Sequence, residues 1–276
     1  MPSHFSASVL ARNHVVVHGP SDAHAVVFAH GFGCDQNMWR FVEPAFRDRF
    51  RTVLFDYVGL GRSDRAAFDA GRYATLDGYA QDLVEIGEAL DLRQATIVGH
   101  SVSSMIGLLA SLRASQRFGA LVMIGPSPRY IDEPPDYVGG FQRADIDGLL
   151  ELMDHNYVGW AGALAPTVMG NAERPELAGE LEQTFCSTDP VVARCFARAT
   201  FYADNRADLA KAKVPALVLQ MRDDPIAPPA VGAYVARHLP GSELVLLDAS
   251  GHCPQMSHPL QTIEAMRPFL DQRLAA

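Results

Sequence analysis

Apolar residues gather in short unbroken runs: "HVVVHG" (14–19), "AVVFAHG" (25–31), "TVLFD" (52–56), "ATIVG" (95–99), "ALVMIG" (120–125), "PALVLQ" (215–220) and "ELVLLD" (243–248). They are rich in Val, Ile and Leu and do not alternate with polar residues, the pattern of strands buried on both faces. Between them the period changes. "TLDGYAQDLVEIGEAL" (75–90) sets Leu76, Tyr79, Leu83, Ile86 and Leu90 on one helical stripe with acids opposite. "VGAYVARHL" (231–239) and "PLQTIEAMRPFL" (259–270) are further amphipathic helices, the last with Ser257 as a cap and Pro259 in its first turn. Strand alternating with helix predicts a doubly wound, mostly parallel α/β sheet. From about 130 to 204 the alternation stops. A Pro- and Gly-dense loop, "PSPRYIDEPPDYVGG", leads into "DIDGLLELMDHNYVGW", "AGALAPTVMG", "RPELAGELEQTF" and "DPVVARCFARATFY", which read as successive helices. Residues 130–204 are thus expected to be a helical lid inserted into a core of residues 1–129 and 205–276.

Composition narrows the function. Of 276 residues 48% are hydrophobic, enough for a substantial core, and the net charge of −9 argues against nucleic acid or an anionic membrane as partner. The four cysteines are scattered without a C-x-x-C pair, so neither a disulfide framework nor a zinc site is expected. "MPSHFSASVLARNH" does not read as a signal peptide and no run approaches 18 apolar residues, so a cytoplasmic location is expected. The ten histidines include no H-E-x-x-H, and no metal or cofactor is expected. "GFGCDQ" and "GLGRSD" lack the third glycine of a dinucleotide fingerprint.

The chemistry concentrates at "ATIVGHSVSSM" (95–105). A strand runs into Gly-His-Ser, and a helix follows at once. Such a turn pushes Ser101 out at the sheet's carboxyl edge. A serine needs a base and an orienting acid. Both follow in order after later strands: Asp223 and Asp224 after "PALVLQ", and His252 after "ELVLLD". Asp224 is the better acid because it stands farther from its strand, and Asp248 is a competitor. An oxyanion hole would take its N–H groups from Val102, after the serine, and Phe32, in the glycine-flanked loop "FAHGFGCD". His100 reads as a buried turn residue and His30 as a brace for that loop. Position 103 is serine where G-x-S-x-G has glycine; its hydroxyl is expected to bond the carbonyl four residues back.

"HGFGCDQNMW" (30–39), "LFDYVGLGRSD" (54–64), "GHSVSSMIGLLASLR" (99–113), "FCSTDPVVAR" (185–194) and "GHCPQMSHP" (251–259) resemble the α/β-hydrolase superfamily, specifically its RsbQ-like branch with the plant strigolactone and karrikin receptors. The likeness runs nearly end to end, with RsbQ expected nearest. It implies the α/β-hydrolase fold, Ser101 as nucleophile, Asp224 as acid and His252 as base. It also implies a four-helix lid over a pocket for a small hydrophobic ligand, lined by Phe32, Tyr130, Phe141, Trp160, Phe185 and Phe201. Leu164 stands where the plant receptors carry an aromatic residue, so their ligand preference does not transfer. Two functions follow: a serine hydrolase of small apolar esters, lactones or enol ethers, and a ligand sensor signalling through a PAS-containing serine/threonine phosphatase. Asp or Cys would occupy position 101 in dehalogenases, epoxide hydrolases or dienelactone hydrolases.

Overall fold

The seven apolar runs become seven strands of one sheet in the computed structural model, which describes residues 4–274, with side chains from residue 7. Residues 1–3 of the amino-terminal stretch, and 275–276, lie outside that range. The strands are β1 (Val16–His18), β2 (Ala25–Ala29), β3 (Arg51–Leu54), β4 (Ala95–His100), β5 (Phe118–Ile124), β6 (Ala216–Asp223) and β7 (Ser242–Ser250). Their order is β1-β3-β2-β4-β5-β6-β7, with β1 antiparallel to β3 and every other pairing parallel. Burial on both faces holds for β2 and β4 but not at the edges, where β1 and much of β7 meet solvent on one side. A strand at the rim of a sheet loses its second cover, which its composition alone does not announce.

The helices are α1 (His4–Arg12), α2 (Leu76–Ala89), α3 (Val102–Arg113), α4 (Arg143–His155), α5 (Tyr157–Met169), α6 (Pro175–Ser187), α7 (Pro190–Phe201), α8 (Arg206–Leu209), α9 (Pro229–His238), α10 (Pro254–Ser257) and α11 (Pro259–Leu274). Alternate β2 residues feed two cores. Val27 and Ala29 pack with α2 and α3, and Val26 and Phe28 with the face that α11 covers. Thr75 caps α2 by accepting from the Asp77 N–H. Not all acids of α2 lie opposite its apolar stripe. Asp82 is fully buried and is held by Arg12, Arg72 and the Tyr73 hydroxyl, which ties α1 to α2. Ser257 does not cap α11. Its hydroxyl donates to the carbonyl of Cys253, the residue just ahead of α10.

Four helices, α4 to α7, fill the segment where no strand was expected. The periodic stretch through Trp160 is not one helix, however. It breaks at Asn156, which ends α4 and caps α5 by accepting from the Gly159 N–H.

Candidate active site

The strand order reverses between β2 and β4: from β2 the chain leaves to β3 on one side, and β5 to β7 extend on the other. Open α/β sheets bind ligands at the carboxyl edge of such a switch point. The "FAHGFGCD" loop leaves β2 there, and Ser101 leaves β4 beside it.

Ser101 is the whole connection between β4 and α3, and its backbone stands at φ 56°, ψ −125°. A non-glycine residue there is strained, and the surroundings must hold it. Its N–H donates to the Ile124 carbonyl at 2.7 Å. A Cβ on Gly99 would come within 2.4 Å of the Ser103 carbonyl oxygen and 2.7 Å of the Ser104 nitrogen, so only glycine lets the first turn of α3 fold back over β4.

The serine Oγ lies 2.7 Å from His252 Nε2, and His252 Nδ1 lies 2.8 Å from Asp224 Oδ2. Asp224 Oδ1 accepts the N–H groups of Ile226 and Ala227 at 2.9 and 3.0 Å. Those bonds fix the carboxylate, which fixes the ring. All three side chains are buried. Neither competing acid joins them: Asp223 is exposed at the end of β6, and Asp248, within β7, is solvent-facing near Arg222. The His252 loop is secured from two sides. His100 Nε2 donates to the His252 carbonyl at 2.8 Å, and the His252 N–H donates to the Val168 carbonyl of α5 at 2.8 Å. Burial pushes the His100 imidazole down to about 3, so it stays neutral. Asn171, just past α5, donates to both the Met169 and Ser250 carbonyls.

A cavity of about 150 Å³ lies over Ser101. Each of α4 to α7 supplies part of its wall, with Leu149, Leu164, Phe185 and Phe201 among them. Of the aromatic residues implied by resemblance, Phe32, Tyr130, Phe141, Phe185 and Phe201 line the cavity. Trp160 does not; it is buried one layer out, against Phe32 and Phe185 at ring separations of 6.0 and 5.2 Å. Tyr130 places its hydroxyl 3.2 Å from Ser101 Oγ, and burial pushes its pKa up, so it remains a neutral hydrogen-bonding group. Val102 is the first residue of α3, where an N–H has no acceptor within the helix. Cys34 and Cys253 also line the wall as buried free cysteines, and burial pushes both thiol pKa values up, which favours the protonated form. Sequence reading gave them no role, because cysteines 219 positions apart carry no local signal of meeting at one cavity. Among the described residues, no group of three or more His, Cys, Asp or Glu side chains is placed to hold a metal ion, and no helix is long and apolar enough to cross a membrane.

Ser103 departs from expectation. Its hydroxyl does not reach the Gly99 carbonyl; Ser104 makes that bond, at 2.9 Å. Ser103 Oγ donates instead to the His30 carbonyl and lies 2.8 Å from the Tyr57 hydroxyl.

Comparison with known proteins agrees with this architecture. Residues 26–265 match the model of the alpha/beta hydrolase family. The chain is 37% identical over 264 residues to a strigolactone esterase of Arabidopsis thaliana, covering 95% of this chain and 98% of that one. It is 38% identical over 242 residues to a karrikin insensitive 2 receptor (IA) of Petunia hybrida, covering 87% and 88%. A solved hydrolase from Oleispira antarctica superposes with a TM-score of 0.94 at 47% identity, covering 96% of this chain and 97% of that one.

Proposed function

The chain belongs to the alpha/beta hydrolase family, and from that premise we propose that it hydrolyses a small apolar ester, lactone or enol-ether ligand through Ser101, His252 and Asp224. The observation that carries the reading is the unbroken hydrogen-bonded line from Asp224 through His252 to a strained serine at the cavity floor. His252 Nε2 takes the proton as Ser101 Oγ attacks the carbonyl carbon. Asp224 holds the tautomer with Nδ1 protonated and favours the imidazolium that forms. The N–H groups of Phe32 and Val102 receive the negative charge on the carbonyl oxygen. The tetrahedral adduct collapses, and His252 returns the proton to the departing alkoxide or enolate. Water then attacks the acyl-serine with His252 again as base, which restores Ser101. The cavity is about the size that holds one six-membered ring. Its mostly apolar wall lowers the local polarity and strengthens each of these electrostatic contacts. We take α4 to α7, within residues 130–204, as the lid that closes it.

Ser101→Ala tests the mechanism with p-nitrophenyl acetate. Turnover should vanish while the fold persists; hydrolysis at the wild-type rate would exclude the scheme. A second reading, ligand sensing with slow hydrolysis, is supported by the receptor among the relatives; a PAS-containing serine/threonine phosphatase is the partner that the RsbQ resemblance of the sequence implies for it. A pull-down from the native cell, with and without ligand, tests that reading; recovery of no phosphatase together with fast turnover leaves the plain enzyme.

A further inference from the structure

We propose that Ser103 is a positioning residue that aims the Phe32 N–H, taking the place of a glycine in the nucleophile turn as a strut between that turn and the oxyanion loop. The inference rests on the hydrolase reading above. Space at the turn is provided by Gly99, whose missing side chain accommodates the backbone of residue 103. The Ser103 side chain is therefore free to leave the turn. It crosses to the end of β2, where it is fully buried.

The hydrogen-bond directions follow by elimination. The His30 carbonyl can only accept, so the one Ser103 proton goes to it. The Tyr57 hydroxyl, 2.8 Å away, is then the donor to Ser103 Oγ. Burial pushes the Tyr57 pKa up, so the proton stays on that oxygen. The Tyr57 N–H donates to His30 Nε2 at 3.2 Å. His30 Nδ1 must then carry the proton, and it donates to the Gly31 carbonyl at 2.9 Å. Burial lowers the His30 pKa and keeps the ring neutral in this tautomer.

These bonds act on two successive peptide planes. The Gly31 carbonyl shares its plane with the Phe32 N–H, and a trans peptide points the two in opposite directions. Holding that carbonyl on His30, its nearer partner beside the Cys34 N–H at 3.3 Å, aims the N–H. The His30 carbonyl shares its plane with the Gly31 N–H, and Ser103 holds it from one end while Met38 Sδ takes the Gly31 N–H at 3.5 Å from the other. Val102, the second proposed donor, immediately precedes Ser103 in α3. One hydroxyl thus sets the spacing between both oxyanion donors. Without it, the His30 carbonyl and the Tyr57 hydroxyl lose their shared partner, and the Phe32 N–H drifts relative to Val102.

Ser103→Ala tests this with p-nitrophenyl acetate and a boronic acid, whose tetrahedral adduct on Ser101 places an oxygen where the oxyanion forms. We expect kcat to fall by about 10- to 100-fold with KM within about threefold, since misaimed donors weaken transition-state contacts alone. The boronate Kd should rise by a matching factor, with activity scored per fluorophosphonate-titrated site. Ser103→Thr, which keeps the hydroxyl, should recover most of the boronate affinity wherever it folds. Should Ser103→Ala not fold, Tyr57→Phe removes the other end of the strut and should lower kcat and boronate affinity together, by about threefold or more. A folded Ser103→Ala or Tyr57→Phe protein with wild-type kcat and boronate affinity overturns the proposal. Retained turnover in Ser101→Ala would instead sink the hydrolase reading, so the two failures are distinguishable.

Discussion

Replacing Asp224 by Asn makes the sharpest test of how the acid works. The swap barely changes shape, and its outcome is set by the two backbone donors. Asp224 Oδ1 accepts from the N–H groups of Ile226 and Ala227, at 2.9 and 3.0 Å. In the Asp224→Asn variant the carbamoyl oxygen must take that place, because an NH₂ there would confront two N–H donors. The NH₂ is forced into the Oδ2 position, 2.8 Å from His252 Nδ1 in the wild type. It can only donate, and at 2.8 Å it stands nearer His252 Nδ1 than the carbamoyl oxygen at the Oδ1 position, 3.0 Å away, so the shorter contact favours a bare Nδ1 with the proton on Nε2. Nε2, 2.7 Å from Ser101 Oγ, then faces the serine as a donor and has no lone pair to take its proton. A wrong tautomer of this kind costs about 10⁴-fold in kcat, roughly 5.4 kcal/mol at 1.36 kcal/mol per tenfold. The assay is kcat on p-nitrophenyl acetate for Asp224→Asn, with thermal melts to show that the fold survives. Asp223→Asn and Asp248→Asn serve as controls and should stay within about twofold of wild type, being exposed surface changes. An Asp224→Asn protein that keeps more than about a hundredth of wild-type kcat would refute the tautomer argument. A comparable loss in Asp223→Asn would move the acid to the other carboxylate.

Two further expectations concern stability. His100 is neutral in the fold because burial lowers its pKa to about 3, below the unfolded value of 6.5, so its contribution is complete above pH 6.5 and is lost as pH falls from there toward 3. By pH 5 that loss is about 2 kcal/mol; His100→Gln, which retains a donor for the His252 carbonyl, should lose that much less between pH 7.5 and pH 5 in urea unfolding, and equal losses in both proteins would contradict the assignment. Gly99→Ala would drive a Cβ into the backbone of Ser103 and Ser104, where no side chain can yield; a destabilisation of about 1–3 kcal/mol is expected, with loss of esterase activity, and an unchanged melting temperature would show that the turn has slack.

Much of this architecture was legible because it depends on local pattern. Seven apolar runs became seven strands; the central ones, covered on both faces, have no reason to alternate, while the edge strands kept the same composition without the second cover. Ser101 could be found because a strand, a single-serine turn and a helix follow one another without a spacer. Asp224 was preferred to Asp223 for its distance from the strand, and the structure sets the Asp224 carboxylate against His252 and leaves Asp223 in solvent. What failed to show depends on what waits across a gap. Helical period gives the phase of α2 but not the presence of Arg12 and Arg72, which let Asp82 be buried. The pattern running through Trp160 conceals the break at Asn156, because one capping side chain interrupts a helix without disturbing its spacing. Trp160 and Phe185 look alike as lid aromatics, yet only tertiary packing places Phe185 against the cavity and Trp160 behind it. The hydroxyl of Ser103 found a partner 73 residues away, which a rule about nearby carbonyls does not cover.

The bonds at the end of α5 bear on how this protein could be re-engineered. The His252 N–H and the Ser250 carbonyl are both held from that end, by the Val168 carbonyl and the Asn171 amide. The end of α5 and the His252 loop therefore share a fastening, and neither can be exchanged alone. A graft of foreign helices chosen to reshape the cavity must reproduce an acceptor at residue 168 and an amide donor at 171. A library that leaves 168–171 constant and varies the other walls can alter what fits above Ser101 without unseating His252, which lies 2.7 Å from its hydroxyl.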